Sequence, residues 1–482
     1  MKKSHLALIL LGSLFSCAAV AQTKSVPRVP TKSVAFAPDP AVPATGHATV
    51  AADFNGDEKM DIATVGTTNG GLTIQLGKGD GTFLPAVTYR GGYHYNALVV
   101  GDFNGDGKLD VAASLPFLCG GCGGYPSYLL QVFIGDGKGA FTIRVPKHVY
   151  YGQPLAAGDF NGDGKMDLLV TNTDYYGEDW FPSIALGNGD GTFTQGSGFP
   201  DTYLPTFPAV GDVNGDGKLD IVMPALDSIE GLGITYVYTG NGDGTFQSTT
   251  YAGTQYWGYT AALGDFNGDG RLDIATDAIQ VLLNNGDGTF TNDANVNARI
   301  GSSIGGVAVG DFNGDGKVDF VAGGWLTTYD GAFAFLSNGD GTFNQVTVDG
   351  TNTTMLQAAH FTNDGKLGVL TSTGLFLQTP ASLLPAALSF GDIAVSTQST
   401  PQSVTLTNVG NVMMSIKSIG LTGTGASQYK QMNNCGASLE AGKSCQIELV
   451  FAPIVAGQAS ASLSVTVPGA PASTVTLLGY GD

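Results

Sequence analysis

Six near-identical acidic nonapeptides recur along the chain, and their period constrains the fold more than any other feature. The second copy reads DFNGDGKLD, and the copies follow one another at steps of 46 to 57 residues. Their first residues are Asp53, Asp102, Asp159, Asp212, Asp265 and Asp311. A seventh, eroded copy, HFTNDGKLG, begins at His360 and keeps only Asp364 among the acidic positions. Self-similarity at this period indicates a propeller or a solenoid.

Each repeat unit has the pattern of four short strands. Apolar runs enter and leave the nonapeptide, such as ALVV before Gly101 and DVAAS after it. A turn sequence follows in each of the first six units, as in GNGDGTF at 187–193, where Asn-Gly and Asp-Gly supply the positive φ angles of a hairpin. We therefore predict an all-β fold with a seven-bladed β-propeller of four-stranded blades at 33–379.

The seventh unit is one strand short. After Gly368 it has only the runs GVLTS and GLFLQ before Pro380, whereas SVAFAPDPAV at 33–42 precedes the first unit as an unassigned strand. We expect 33–42 to complete blade seven, so that the two ends of the propeller sequence close the ring.

The nonapeptides carry the chemistry of a calcium loop. Carboxylate or amide oxygens stand at positions 1, 3, 5 and 9, and the backbone carbonyl at position 7 completes a hard-cation set. Zinc and copper fit poorly without sulfur or imidazole, and an EF-hand is excluded because position 12 is never glutamate. The predicted metal ligands are Asp53, Asn55, Asp57, Lys59, Asp61, Asp102, Asn104, Asp106, Lys108, Asp110, Asp159, Asn161, Asp163, Lys165, Asp167, Asp212, Asn214, Asp216, Lys218, Asp220, Asp265, Asn267, Asp269, Arg271, Asp273, Asp311, Asn313, Asp315, Lys317 and Asp319.

The competing interpretation is that these loops are solvated acidic turns without a metal. Three aspartates within nine residues repel one another unless a cation neutralises them, so we favour about six structural Ca²⁺ ions. The eroded copy is expected to bind none. Glycine at position 6 relieves a turn that other residues enter at a cost, and Glu58 stands there in the first loop, which should be the weakest site.

The two recurring signatures resemble the FG-GAP and VCBS repeat family. The resemblance covers about residues 33–379, and it rests on the nonapeptide and the GDGTF turn occurring together in the same order. The best-known fold of that family is the seven-bladed propeller of integrin α-chain heads, so the resemblance implies the same architecture here.

The first 21 residues have the pattern of a secretory signal. Lys2 and Lys3 precede an apolar run that ends at a small-residue site at 19–21. Leu14 to Cys17 resembles a bacterial lipobox, which would place the protein on a membrane through a lipidated Cys17. Because Phe15 is unusual there, we favour cleavage after Ala21, followed by a flexible segment at 22–32. We therefore expect a protein that is secreted or lies on the cell surface or outer envelope of a bacterium.

Charge and cysteine content narrow the partners and the compartment. A formal net charge of -20 repels phosphate backbones, which argues against a nucleic-acid partner. In an exported chain the local pairs Cys119 with Cys122 and Cys435 with Cys445 are expected to be disulfides.

A second domain follows the propeller. A linker at 380–385 within TPASLLP separates it from the alternating strands of 386–482, whose length and strand number favour a small β-sandwich. The sequences LSFG, VTLTNVG and NNCGASLEAGKSCQIELVFAP resemble Ig-like domains of the hydin and abnormal-spindle type, also called choice-of-anchor modules.

Aromatic inserts mark the propeller face opposite the nonapeptides. This predicted ligand face consists of Tyr93, His94, Tyr95, Tyr151, Tyr176, Trp180, Tyr256, Trp257, Tyr259 and Trp325. Such rings either pack between blades or bind a carbohydrate or protein ligand. The leading hypothesis is a calcium-stabilised binding or adhesion protein. The alternative is a lyase-like polysaccharide-degrading enzyme acting on the same face, although no catalytic residue is assigned and the oligomeric state stays open.

Overall fold

The structure is a computed structural model that describes most of the chain after residue 33. The described residues are 34–39, 48–66, 70–89, 97–118, 126–144, 152–173, 180–199, 207–226, 233–254, 260–277, 279–292, 306–324, 331–349, 356–410 and 412–482. Within these ranges the secondary structure is β-strand, apart from one turn of 3-10 helix at Ala426–Gln428. The predicted signal at 1–21 and the segment 22–32 lie outside the described residues.

Seven four-stranded antiparallel sheets follow one another as blades. Blade one contains β2 (Ala48–Ala52), β3 (Asp61–Val65), β4 (Leu72–Gln75) and β5 (Val87–Tyr89), with β1 (Ala35–Asp39) preceding it in the chain. Blade two contains β6 (Ala97–Gly101), β7 (Asp110–Leu118), β8 (Pro126–Gly135) and β9 (Phe141–Arg144), and blade three contains β10 (Gln153–Gly158), β11 (Asp167–Thr173), β12 (Trp180–Gly187) and β13 (Phe193–Gly198). Blade four contains β14 (Ala209–Gly211), β15 (Asp220–Leu226), β16 (Gly233–Gly240) and β17 (Phe246–Thr254), and blade five contains β18 (Ala261–Gly264), β19 (Asp273–Thr276), β20 (Gln280–Asn284) and β21 (Phe290–Asn292). Blade six contains β22 (Gly306–Gly310), β23 (Asp319–Gly324), β24 (Gly331–Ser337) and β25 (Phe343–Asp349), and the chain then supplies β26 (Leu356–Ala359), β27 (Gly368–Thr371) and β28 (Gly374–Thr379) to blade seven.

The blades form a closed ring. The first strand of each blade contacts the first strand of the next, from β2 through β6, β10, β14, β18 and β22 to β26, and β26 contacts β2 again. The fold is therefore the predicted seven-bladed β-propeller, with the first strand of every blade innermost.

The N-terminal strand completes blade seven. β1 pairs antiparallel with β28, in register from Ala35 opposite Thr379 to Asp39 opposite Leu375, and becomes the fourth strand of that sheet. The strand lies within the segment 33–42 that the sequence assigned to this place. Ring closure thus joins the beginning and the end of the propeller by backbone hydrogen bonds.

A repeated phenylalanine contact connects neighbouring blades. The aromatic residue at position 2 of the nonapeptide in one blade packs edge-on against the phenylalanine of the GDGTF turn in the next. Ring centroids lie 5.6 Å apart for Phe54 and Phe141 and 5.7 Å apart for Phe103 and Phe193. The same contact joins blade three to four, blade five to six and blade seven to one. The period of the sequence is therefore also the period of the interfaces between blades.

The C-terminal part is a β-sandwich with its own core. Its strands are β29 (Ala381–Leu384), β30 (Ala387–Ile393), β31 (Gln402–Asn408), β32 (Met414–Ser415), β33 (Ser418–Thr422), β34 (Tyr429–Asn433), β35 (Ser438–Leu439), β36 (Ser444–Phe451), β37 (Gly457–Thr466) and β38 (Ser473–Gly481). One sheet has the order β29-β31-β36-β34 and the other the order β30-β38-β37-β33, where β30 and β38 are parallel. Phe451, Leu463 and Leu477 are fully buried between them.

The segment 380–385 is not a linker, contrary to the expectation from its prolines. Only Pro380 separates β28 of the propeller from β29 of the sandwich. Ser473 donates a hydrogen bond to the Ala381 carbonyl at 2.7 Å, and the Pro380 carbonyl accepts one from Val409 N at 2.9 Å. The backbone polar groups of this segment are used by the sandwich, so the two domains are joined directly.

One of the two predicted disulfides lies within the described residues. Cys435 and Cys445 are bonded, with 2.05 Å between the sulfur atoms, and both side chains are buried in the sandwich core. The disulfide is thereby confirmed. Cys119 and Cys122 lie outside the described residues.

Candidate metal centres

The six nonapeptides form one kind of loop, between the first and second strands of blades one to six. Position 1 directly follows the inner strand, and position 9 is the first residue of the second strand, as Asp110 is of β7. The folding of each loop follows from short polar side chains that accept hydrogen bonds from nearby backbone.

The position-1 aspartate organises the loop backbone. In the second loop, one oxygen of Asp102 accepts N–H groups from Gly105 at 2.7 Å and Asp106 at 3.1 Å, and the other accepts Gly107 N–H at 2.7 Å. The Asn104 side-chain oxygen accepts the Asp106 N–H at 2.8 Å. These contacts recur in the other five loops, so oxygen atoms at positions 1, 3 and 5 come from one tight turn.

The position-9 aspartate joins the loop to the third strand. One oxygen of Asp167 accepts the Phe160 N–H at 3.0 Å, and the other accepts the Gly187 N–H, at the end of β12, at 2.7 Å. The equivalent pair of bonds occurs at Asp61, Asp110, Asp220, Asp273 and Asp319. All six side chains are 0% exposed. We call this feature the aspartate clamp.

Burial makes it costly to keep the clamp aspartates ionised. Burial, and to a smaller extent the charges of Asp53 and Asp57, raise the pKa of Asp61 to about 6, against an ordinary value of 3.8. Burial, with smaller contributions from the position-1 and position-5 aspartates of the same loop, also raises the pKa of Asp110 to about 6 and that of Asp319 to about 7. None of the six clamp aspartates forms an ion pair with a described Lys or Arg. Buried carboxylates are ordinarily paired with a cation or bound to a metal.

The available donors fit a hard cation that is bound by carboxylate, amide and backbone carbonyl oxygens together. Within the described residues, no three side chains drawn from His, Cys, Asp and Glu converge as a metal-binding group. A cation at these loops therefore needs the Asn oxygen at position 3 and the backbone carbonyl at position 7 besides carboxylates. Ca²⁺ takes such oxygen mixtures and tolerates irregular geometry.

Position 6 has the backbone conformation that glycine favours. Gly107 has φ 81° and Gly316 has φ 85°, and Glu58 in the first loop is held at φ 65°. A non-glycine residue in this left-handed region costs about 1 kcal/mol or more. The first loop therefore carries strain that the other five do not.

The seventh loop has lost this chemistry. His360, Thr362 and Gly368 stand at positions 1, 3 and 9. A side chain at Gly368 would meet Leu377 at 2.9 Å and Phe361 at 3.0 Å, so apolar packing fills the place of a clamp aspartate. The loop is bonded to blade one by two backbone hydrogen bonds. Gly81 N donates to the Phe361 carbonyl at 3.1 Å, as Gly191 N does to the Phe103 carbonyl of the second loop, and Asn363 N also donates to the Gly79 carbonyl at 2.8 Å.

A basic side chain at position 7 is a feature that the sequence interpretation missed. Only its backbone carbonyl was considered as a ligand, but its side chain is paired with the position-5 aspartate in every loop, as Lys108 is with Asp106 at 3.3 Å. The available signal was the Lys or Arg at position 7 of all seven copies.

The predicted ligand face lies almost entirely outside the described residues. This holds for Tyr93, His94, Tyr95, Tyr151, Tyr176, Tyr256, Trp257, Tyr259 and Trp325. Trp180 is the first residue of β12, and its backbone pairs with Thr173, the last residue of β11. Asp167 is the first residue of β11 and lies at the other end of this strand. The backbone of Trp180 is therefore at the opposite end of blade three from the candidate calcium loop.

Comparison with known sequences identifies the repeats. The family profile described as FG-GAP-like repeat matches residues 38–113, 159–223, 231–276 and 275–322. This chain carries FG-GAP-like repeats. Integrin alpha-V of Gallus gallus is 31% identical over 109 residues, which are 22% of this chain and 10% of the integrin. The chain thus spans about a tenth of the length of that relative. FG-GAP repeats are typical of extracellular proteins.

Two solved structures matched by this chain have low structural similarity to it. The extracellular domain of the hybrid two component system BT3049 from B. thetaiotaomicron is 10% identical with a TM-score of 0.41, and the match covers 94% of this chain and 57% of that one. The ASH / PapD-like domain of human CEP192 is 13% identical with a TM-score of 0.16, covering 22% of this chain and 86% of that one. Among the residues that the structure describes, no helix has the length and hydrophobicity of a membrane span.

Proposed function

We propose that the protein is an exported binding or adhesion protein whose propeller is stabilised by about six structural Ca²⁺ ions. The observation that carries the calcium assignment is the set of six fully buried aspartates without a cationic partner among the described residues. Each lies below a turn of oxygen donors, where a dication would offset the cost of burying its charge. Extracellular calcium would then support folding in the compartment that the signal sequence predicts.

The proposed ions hold the blades and do not react. Positions 1, 3, 5 and 9 and the position-7 carbonyl would supply ligands, and the position-9 carboxylate would also fix the loop to the third strand. At millimolar calcium and extracellular-type affinities each site would add about 1 to 2 kcal/mol to the free energy of unfolding.

The other face of the propeller is proposed to bind the ligand. Connections from second to third strands, and from one blade to the next, leave from the strand ends opposite the calcium loops, which keeps that face available. Its predicted aromatic residues suit stacking against a carbohydrate or a hot spot of a protein partner. The surrounding acidic protein favours neutral or basic ligands over phosphate-rich ones.

Binding to a glycan array and to extracellular matrix proteins, with and without calcium, tests this proposal. We expect a ligand whose binding falls at least tenfold in both Trp180→Ala and Trp257→Ala variants that melt at the wild-type temperature. A ligand bound equally by both variants would remove the proposed face, and release of unsaturated oligosaccharides from a polyuronide panel would favour the lyase alternative.

A further inference from the structure

An ion pair inside each loop suggests how calcium affinity is set. Seven of the eight ion pairs among the described residues join position 7 to position 5 of a nonapeptide. The nitrogen–oxygen distances run from 2.5 to 3.9 Å, and one pair occurs in every blade: Lys59–Asp57, Lys108–Asp106, Lys165–Asp163, Lys218–Asp216, Arg271–Asp269, Lys317–Asp315 and Lys366–Asp364.

The same basic residue holds the carboxylate at both oxygens. In the second loop the Lys108 backbone N–H donates to Oδ1 of Asp106 at 3.0 Å, and Nζ donates to Oδ2 at 3.3 Å. The aliphatic part of the side chain lies against Gly137 in the turn between the third and fourth strands. The residue therefore fixes the direction of the position-5 carboxylate and covers the neighbouring turn.

The seventh loop shows that the ion pair forms without the calcium donor set. It lacks oxygen ligands of the calcium set at positions 1 and 9, yet Lys366 N donates to Oδ1 of Asp364 at 3.0 Å and Nζ lies 3.8 Å from Oδ2. The pair therefore belongs to the loop itself and forms where the calcium donor set is incomplete.

We propose that the position-7 base is an internal counter-cation that stabilises the loop without calcium and lowers the loop's affinity for calcium. The inference rests on the proposed function, because a dication at the loop would share the position-5 carboxylate with an ammonium or guanidinium group a few ångströms away. Like charges at that distance repel, and the loop would bind calcium more weakly than its ligands alone allow. The base is thus a positioning residue that shifts calcium binding toward higher concentrations.

Calorimetric titration of the full chain with CaCl₂ tests the inference, using the double variant Lys108→Met and Lys165→Met. Methionine keeps the aliphatic contact and removes the charge. We expect two of the sites to bind calcium about three- to tenfold more tightly. We also expect the melting temperature in EDTA to fall by about 2 °C, because two loops lose their counter-cation. Replacing the same lysines by arginine should restore both values.

Two single controls each remove one lysine charge, and together they match the change in net charge of the double variant. Lys366→Met, in the loop without the calcium donor set, should leave calcium binding unchanged, and so should Lys138→Met in an exposed turn. Unchanged or weaker calcium binding in the double variant would overturn the inference, as would equal tightening in Lys138→Met, which would show a general charge effect. A wild-type protein that binds no calcium would instead overturn the proposed function.

Discussion

Blades one to six and blade seven differ in the corner of the blade, by which we mean the loop between the first and second strands together with its contacts to the third strand. In the first six, a buried aspartate accepts two backbone N–H groups and fixes the loop to the third strand, as Asp167 does. In the seventh, Gly368 leaves room for Leu377 and Phe361, and Asn363 N donates to Gly79 of blade one in addition to the interblade backbone bond that the second and third loops also make. The difference shows that a blade keeps its shape without the clamp aspartate where apolar packing replaces it.

The two kinds of corner also differ in what stabilises them, since only the acidic corners need a cation from the solvent. Leu377 and Phe361 belong to an apolar cluster that extends to Ile62 in blade one, so the closing corner is stabilised by burial of apolar surface. The six acidic corners bury charge, which is favourable only with hydrogen bonds and a compensating cation. Calcium dependence should therefore reside in blades one to six.

Removing a clamp aspartate should have the largest effect of the substitutions that compare the two corners. Asp167→Ala leaves two buried N–H groups without an acceptor, and we expect a loss of about 3 kcal/mol in the free energy of unfolding. The measurement is urea denaturation in EDTA, which removes any contribution of calcium. Asp364→Ala in blade seven is the control and should cost less than about 1 kcal/mol. A similarly small loss for Asp167→Ala would mean that the clamp acts only through a cation.

A substitution that weakens ring closure should have the next largest effect on stability. Phe36 of β1 packs against Phe312 of blade six, with ring centroids 6.2 Å apart, in the place that a GDGTF phenylalanine occupies elsewhere. Phe36→Ala should cost about 2 kcal/mol and raise the hydrogen-exchange rate of the β1 amides. Phe343→Ala makes the equivalent change in blade six, and there exchange should rise less at β25, which is covalently continuous with its blade. Equal exchange in both variants would show that β1 is no weaker than an internal outer strand.

The pH dependence of stability should differ with and without calcium. Burial raises the pKa of Asp61 and Asp110 to about 6 and of Asp319 to about 7, above the ordinary value of 3.8. Because the folded state then binds more protons than the unfolded state, stability present below about pH 4 is lost as the pH rises toward 7. We expect the melting temperature in EDTA to fall over this window and to fall less in calcium. Parallel curves would argue against a cation near these carboxylates.

The first loop offers the smallest predicted change. Glu58 is held at φ 65°, where the five equivalent residues are glycine. Glu58→Gly should raise the free energy of unfolding by up to about 1 kcal/mol, since relief of strain is partly offset by the flexibility of glycine in the unfolded chain. Thermal melting in EDTA measures the effect. A lower melting temperature would show that the glutamate side chain contributes more than its backbone costs.

Periodicity explains why so much of the propeller was predictable. The nonapeptide and the GDGTF turn place two strand boundaries in each unit, so the number of blades follows from counting, and the strand at 33–42 is identified by the one missing from the last blade. The disulfide of Cys435 and Cys445 was predictable because the two residues are close in sequence and the N-terminal pattern predicted an exported chain. The alternation of buried residues, as in β38, is equally local.

The missed features depend on contacts between distant residues. Pro380 suggested a linker, but β29 forms because its backbone finds a partner in β31, more than twenty residues later. The clamp joins a loop to the third strand of its own blade, and the contact of Phe54 with Phe141 joins two blades, so neither follows from local sequence pattern. The short strands β34 and β35 lack a strong apolar alternation and are defined by pairing with β36 and β32.

Calcium stoichiometry tests the comparison of the two kinds of corner most directly. The EDTA-stripped full chain is titrated with CaCl₂ in a calorimeter, and its melting temperature is measured at both ends of the titration. The account predicts about six bound ions per chain and a higher melting temperature with calcium. No bound calcium, or a melting temperature that is the same in EDTA, would contradict it.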